Sequence, residues 1–173
     1  RAEMPTIGVS IAVPDPFGTA LQDFRVALGD VSARHIPTHI TLVPPAEVPD
    51  GALGDIEAHL ARAAAGQAPF RVRLRGTGTF RPVSPVVFVG VVEGISSCEV
   101  LAAATRTGPL AVQVGFPYHP HVTVAHDLGD DQLDRAFAEL ADFDAGFEVS
   151  EFWLYVHDDQ HGWQPTQAFR LGR

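Results

Sequence analysis

The tetrapeptide His39-Ile40-Thr41-Leu42 returns 82 residues later as His121-Val122-Thr123-Val124, and the pattern around it returns as well. Ahead of the first copy, Thr6 to Val13 is an apolar run rich in β-branched residues and reads as a strand. Asp15-Pro16 supplies an N-cap and a first-turn proline, and Phe17, Leu21, Phe24 and Leu28 then recur on one helical stripe that Gly29 is placed to end. His39 to Val43 is a short strand stopped by Pro44-Pro45. Asp50 can cap a second helix with Leu53, Ile56, Leu60 and Ala64 on one face. Phe70 to Phe80 is a third strand, in which Val72 and Leu74 alternate with Arg71, Arg73 and Arg75.

The second half runs in the same order. Val86 to Val92 is a strand; Ser96 and Glu99 have capping-box spacing at the head of a helix ending near Gly108. A strand at His121 to Val124 precedes a helix capped by Asp130, with Leu133, Phe137 and Leu140 on one side. Phe147 to His157 reads as one strand, and Gly162 to Leu171 adds a last one. A shift of 82 residues lays strand 6–13 on 88–95, helix 16–28 on 98–110, helix 50–65 on 132–147 and strand 70–80 on 152–162. The expected fold is therefore α+β: duplicated β-α-β-α-β units form a bilobal, pseudo-twofold structure with a central cleft. Its length suits a single domain over residues 1–173, with lobe one at about 4–80 and lobe two at about 85–173.

In a strand, residues i and i+2 project from the same face. His39 and Thr41 therefore point one way while Ile40 and Leu42 enter a core, and His121 and Thr123 do the same in the second copy. A pseudo-twofold that pairs the strands brings both imidazoles and both hydroxyls to one cleft. Cleaving a phosphoester in line requires taking a proton from the attacking oxygen and giving one to the leaving oxygen. Two imidazoles near neutrality, one neutral and one protonated, perform both tasks. The Thr41 and Thr123 hydroxyls would donate to the non-bridging phosphate oxygens as their charge grows. The scheme calls for no metal and no cofactor.

The segments Thr38-His39-Ile40-Thr41-Leu42-Val43-Pro44-Pro45 and Tyr118-His119-Pro120-His121-Val122-Thr123-Val124-Ala125-His126 resemble the 2H phosphoesterases, named for two His-x-Ser/Thr motifs. Within them the chain is similar to the bacterial 2′,5′ RNA ligase-like and cyclic phosphodiesterase proteins. The resemblance implies metal-independent hydrolysis of 2′,3′-cyclic phosphates or 2′,5′-phosphodiester bonds in nucleotides or RNA ends, and in some relatives ligation. Carried over by position, His39 and His121 are the catalytic pair and Thr41 and Thr123 the phosphate ligands. Many relatives carry Arg where His126 stands.

Three further side chains are expected to meet substrate: Tyr118, just ahead of the second motif and suited to stacking a base; His126; and Tyr155. The 82-residue shift lays Arg71, Arg73 and Arg75 on Trp153, Tyr155 and His157. The first triplet reads as a solvated cationic face and the second as a half-buried aromatic strand. His35, His119, His157 and His161 read as loop histidines bounding the cleft, without the Cys or acidic complement of a zinc site. Gly76-Thr77-Gly78-Thr79 lacks the Lys-Ser/Thr of a phosphate-binding loop and reads as a turn or bulge. Cys98 reads as a packed thiol.

Charge narrows the partner. Twelve basic and 21 acidic side chains give 12 − 21 = −9, which disfavours a protein that clamps long RNA or a DNA duplex through its phosphates. A small nucleotide or an RNA end remains the expected substrate. With one Cys there is no internal disulfide, and no run approaches 18 apolar residues. A cytoplasmic monomer away from membranes is expected, with Met4-Pro5 as a native start behind three added residues.

Overall fold

In a computed structural model of the chain, residues 4–111 and 117–172 are described; the three leading residues taken above as an addition lie outside them. In chain order the elements are β1 (Thr6–Ala12), α1 (Phe17–Leu28), β2 (His39–Glu47), α2 (Leu53–Ala65), β3 (Phe70–Thr79) and β4 (Val86–Glu93). They continue with α3 (Ile95–Thr105), β5 (His121–His126), α4 (Asp130–Glu139), β6 (Asp144–Val149), β7 (Glu151–Asp158) and β8 (Gly162–Arg170). The strands form two antiparallel sheets, β2-β1-β7-β8 and β5-β4-β3-β6. The fold is α+β, as expected.

The sheet orders superpose element by element: β2 on β5, β1 on β4, β7 on β3 and β8 on β6. The pseudo-twofold is therefore present, but the lobes do not follow the halves of the sequence. β3 leaves the first half and pairs with β4, while the β7–β8 hairpin returns from the second half to pair with β1. The division at 4–80 and 85–173 is corrected accordingly. Only residues 80–85 separate β3 from β4, and antiparallel neighbours joined by so short a connection pair with each other. Apolar alternation marks a strand without saying which sheet receives it.

The single strand expected from Phe147 to His157 is two strands in different sheets. Ala145, Phe147 and Val149 are buried before Ser150, and Phe152 and Leu154 after it. The buried phase thus changes from odd to even positions where the chain crosses between sheets. Helix starts differ from the capping expectations. Asp15 accepts from the Thr19 N–H at 2.9 Å and its hydroxyl at 2.6 Å, one turn into α1. Asp50 opens a short 3-10 turn ahead of α2 rather than capping it. α3 begins behind Gly94, whose φ of +92° is a left-handed conformation that glycine adopts freely, so Ser96 and Glu99 lie inside the helix. Asp130 sits in the first turn of α4 beside Asp131, where carboxylates suit the helix dipole.

One apolar cluster runs through both sheets: Ile7, Val9 and Ile11 of β1, Val87 and Val89 of β4, Leu21, Leu60, Leu101 and Leu133 from the four helices. It fixes the sheets so that β2 and β5 approach each other. The two motif strands are those that meet.

Candidate active site

β2 is anchored where it starts. The Val13 N–H donates to the Thr38 carbonyl at 3.1 Å, and the buried Thr38 hydroxyl donates to the Gly18 carbonyl of α1 at 2.6 Å. From that fixed point Ile40 and Leu42 enter the core with no exposure, while His39 and Thr41 remain half-buried on the opposite face. β5 repeats the arrangement, with Val122 and Val124 fully buried and His121 and Thr123 half-buried.

The imidazoles are held alike. Nδ1 of His39 lies 2.6 Å from the carbonyl oxygen of Pro37, and Nδ1 of His121 lies 2.7 Å from the carbonyl oxygen of His119, each two residues upstream. A carbonyl only accepts, so each Nδ1 carries its hydrogen and donates. The nitrogen left to gain or lose a proton in each ring is Nε2. Burial lowers the pKa of His39 below the ordinary histidine value, against the opposing pull of the Pro37 bond, and the charge of Arg25 lowers it further. Burial likewise lowers His121, and the charges of His119 and His39 add to that.

Two residues of the second half hold the backbone of β2. The Tyr118 hydroxyl donates to the Thr41 carbonyl at 2.7 Å, and Arg106 Nε donates to the Leu42 carbonyl at 2.6 Å. The Arg106 guanidinium also lies over the Tyr118 ring, 5.0 Å from its centre. Tyr118 therefore packs against the core as a tether, and the expectation of a base-stacking ring is corrected: one face is covered and the hydroxyl is engaged.

On the His121 side the surroundings are aromatic. Phe80 and Phe88 stand 4.7 Å apart, centre to centre, and 5.1 and 5.3 Å from His121. His119 joins them at 5.6 Å from Phe80 and 5.1 Å from Phe88. Gly78 makes room for this cluster, because a Cβ there would stand 2.5 Å from the Phe88 ring. The bulge read from Gly76-Thr77-Gly78-Thr79 is present as a register shift between Leu74 and Thr77, with Gly76 at φ +76°.

On the His39 side is a cleft lined by His39, Thr41, Ser10, Gly8, Tyr155 and Trp163, among others. Tyr155, expected to meet substrate, is among these lining residues. His126 does not share the position of His121: it ends β5, is exposed, and lies 3.5 Å from the Asp127 carboxylate. The arginine triplet faces acidic partners across the ladder, Arg71 opposite Glu148 and Arg73 in a two-pronged bond to Asp144 at 2.9 and 2.7 Å. It is a solvated face, as expected. Among the described residues no three His, Cys, Asp or Glu side chains are grouped as metal ligands would be. Cys98 is fully buried, and burial raises its thiol to about 12, which fits a packed thiol.

A family model described as the 2′-5′ RNA ligase superfamily matches residues 13–161. The chain belongs to this superfamily. Similar proteins include one of Oceanobacillus iheyensis, provisionally named a phosphoesterase, 29% identical over 140 residues that cover 80% of this chain and 82% of the relative. Another, from Halalkalibacterium halodurans and provisionally named in the same way, is 26% identical over 168 residues, 96% of this chain and 97% of the relative. In fold the chain is similar to LigT of E. coli, with a TM-score of 0.72, 20% identity and 99% of each chain covered. The superfamily match agrees with the 2H phosphoesterase resemblance carried by the two His-x-Thr segments.

Sequence reasoning missed five contributors. Trp163 opens β8 beside the cleft, and Phe80 and Phe88 flank the β3–β4 connection. Arg106 reaches β2 from the end of α3, and Arg25, buried on α1, places a charge near His39. Only Trp163 carried a usable signal, a large aromatic at the head of a strand otherwise rich in polar residues. The others depend on which elements the fold brings together.

Proposed function

We propose that this chain is a metal-independent phosphodiesterase acting on a 2′,3′-cyclic phosphate or a 2′,5′-linkage in nucleotides or at RNA ends. His39 and His121 are its acid–base pair, and Thr41 and Thr123 its phosphate ligands. The observation that carries this reading is the matched pair of Nδ1–carbonyl bonds, 2.6 Å at His39 and 2.7 Å at His121. They orient both rings from opposite strands and reserve both Nε2 atoms for proton transfer. In the forward reaction one neutral Nε2 takes the proton of the attacking water as the new P–O bond forms. The other, protonated, Nε2–H gives its proton to the leaving ribose oxygen as the old bond breaks. Thr41 and Thr123 donate to the two non-bridging oxygens, where charge develops. With the 5′-hydroxyl of a second chain in place of water, the same steps on a 2′,3′-cyclic phosphate form the new P–O bond to that oxygen, break the ring P–O bond and give the proton to the ring oxygen that leaves, so two ends are joined.

Relatives support the substrate class. LigT of E. coli has been solved with 3′-AMP, with phosphate and with ATP. The charge of −9 favours a small or terminal substrate over a long polymer. No helix among the described residues is long and apolar enough to cross a membrane. A second reading, a nucleotide-binding module with little turnover, rests on His126 standing where the 2H phosphoesterase resemblance leads one to expect Arg. A panel of 2′,3′-cyclic mononucleotides, 2′,5′-dinucleotides and cyclic dinucleotides, assayed in excess chelator, separates the two. Product release from at least one class supports the phosphodiesterase. Binding without product at every pH between about 5 and 9 supports the module.

A further inference from the structure

The pseudo-twofold is broken beside the phosphate position. Across the ladder from Thr41 stands Ser10; at the corresponding place across from Thr123 stands Phe88. Phe88, Phe80 and His119 fill the His121 side. On the His39 side Ser10 and Gly8 are small, and a cleft of about 410 Å³ remains, solvent at its mouth included. His39 and Thr41 form the inner wall, so the cleft is continuous with the phosphate position.

We propose that this cleft takes the nucleobase of the substrate, with the Trp163 indole as its stacking surface. The nucleoside then always lies on the His39 side of the phosphate. The inference rests on the phosphodiesterase reading and adds the identity and orientation of the group next to the phosphate. Among the described residues no Arg, Asp or Glu lines the cleft, and the walls are otherwise Ile36, Val43, prolines and Tyr155. Such a lining suits a neutral flat heterocycle and gives a second phosphate nothing to pair with. Trp163 lies beside Gly8, where a Cβ would stand 3.5 Å from its ring, and His157 meets it edge-on with centres 5.1 Å apart. A ring braced in this way offers a flat surface at little entropic cost, and stacking of a base on an aromatic side chain is worth roughly 5- to 150-fold in binding.

The test compares a 2′,3′-cyclic mononucleotide with methyl riboside 2,3-cyclic phosphate, which keeps the reacting ring and lacks the base. The wild-type chain is expected to prefer the nucleotide in kcat/KM by roughly 5- to 150-fold. Trp163→Ala is expected to lose that preference and Trp163→Phe to keep most of it. An unchanged preference in Trp163→Ala overturns the proposal. Binding is read separately in His39→Ala protein carrying Trp153→Phe, where Trp163 is the remaining tryptophan. Quenching of its fluorescence by nucleoside 2′- or 3′-monophosphate, and not by ribose phosphate, supports the pocket even if no substrate is turned over. Equal quenching by both, or none, overturns it. Failure of turnover alone would count against the phosphodiesterase and leave the pocket to be decided by quenching.

Discussion

The phenol oxygen of Tyr118 lies 2.7 Å from the carbonyl oxygen of Thr41, so a residue three ahead of His121 holds the strand that carries His39. The two motifs are joined by a hydrogen bond as well as by the core. Tyr118→Phe keeps the packed ring and removes this bond, and is expected to cost about 1 kcal/mol, a melting shift of about 2–4 °C. Calorimetry of the variant checks the stability. Because Thr41 is also displaced, kcat should fall with KM nearly unchanged; an unaltered melting temperature together with unaltered kcat would count against the tether.

The proposed phosphate ligands, Thr41 and Thr123, are open to isosteric replacement. Thr41→Val and Thr123→Val keep shape and strand propensity and remove the donor. Each is expected to lower kcat/KM by about 10²–10³, whereas Thr→Ser at either position retains most activity. Steady-state kinetics on a cyclic mononucleotide checks this, and wild-type rates in both Val variants would remove the hydroxyls from the mechanism.

The pKa shifts fix the direction of the pH dependence. Burial lowers both His39 and His121 below the ordinary value, about 6.5. Catalysis needs one ring neutral and the other protonated, so the maximum of kcat/KM should fall on the acid side of pH 6.5 and decline through pH 8. A profile still rising at pH 8 would point to a different base. Stability follows the opposite sign. Between the folded and unfolded pKa values the unfolded chain binds more protons, so stability falls as pH drops below about 6.5. The His39→Asn, His121→Asn double variant is expected to show a smaller melting-temperature loss between pH 7.5 and 5 than the wild type.

Arg25 and Asp30 form a buried pair at 2.8 Å, with side chains 6% and 9% exposed. Burial raises the Asp30 carboxyl, but hydrogen bonds from Ser32 and Arg25 and the Arg25 charge outweigh it and hold the group below the ordinary carboxylate range. Removing one partner leaves the other charged and alone. Arg25→Met is expected to cost about 3–5 kcal/mol in urea unfolding, and Arg25→Met with Asp30→Asn clearly less. Equal losses in both variants would mean the pair is not coupled.

How much of this was legible in the sequence depends on range. The strand and helix positions follow from apolar period, and the site motif from His-x-Thr repeated at one shift; the four motif residues lie where strand alternation puts them. Membership of the sheets was not legible, because β3 and β7 have the same alternation whichever sheet takes them. The change of buried phase at Ser150 was a readable sign that one strand is two. Tyr118 was noticed for its ring, yet its hydroxyl decides its place. Arg106 and Arg25 act through contacts 64 residues away at Leu42 and through burial on α1, neither of which a local pattern encodes. The open and closed sides of the cleft depend on Ser10 and Phe88 occupying corresponding places, and only the strand register reveals that they do.

The central claim is that two imidazoles in opposite protonation states share one phosphate. Its most direct test is single-turnover cleavage of a 2′,3′-cyclic mononucleotide, in excess chelator, by His39→Ala, His121→Ala and the double variant, with circular dichroism confirming the fold. Each single variant is expected to lose about 10²–10⁴ in rate, and the double variant to be little worse than either, because the pair acts as a unit. A folded His39→Ala or His121→Ala protein cleaving within about tenfold of the wild-type rate would contradict it.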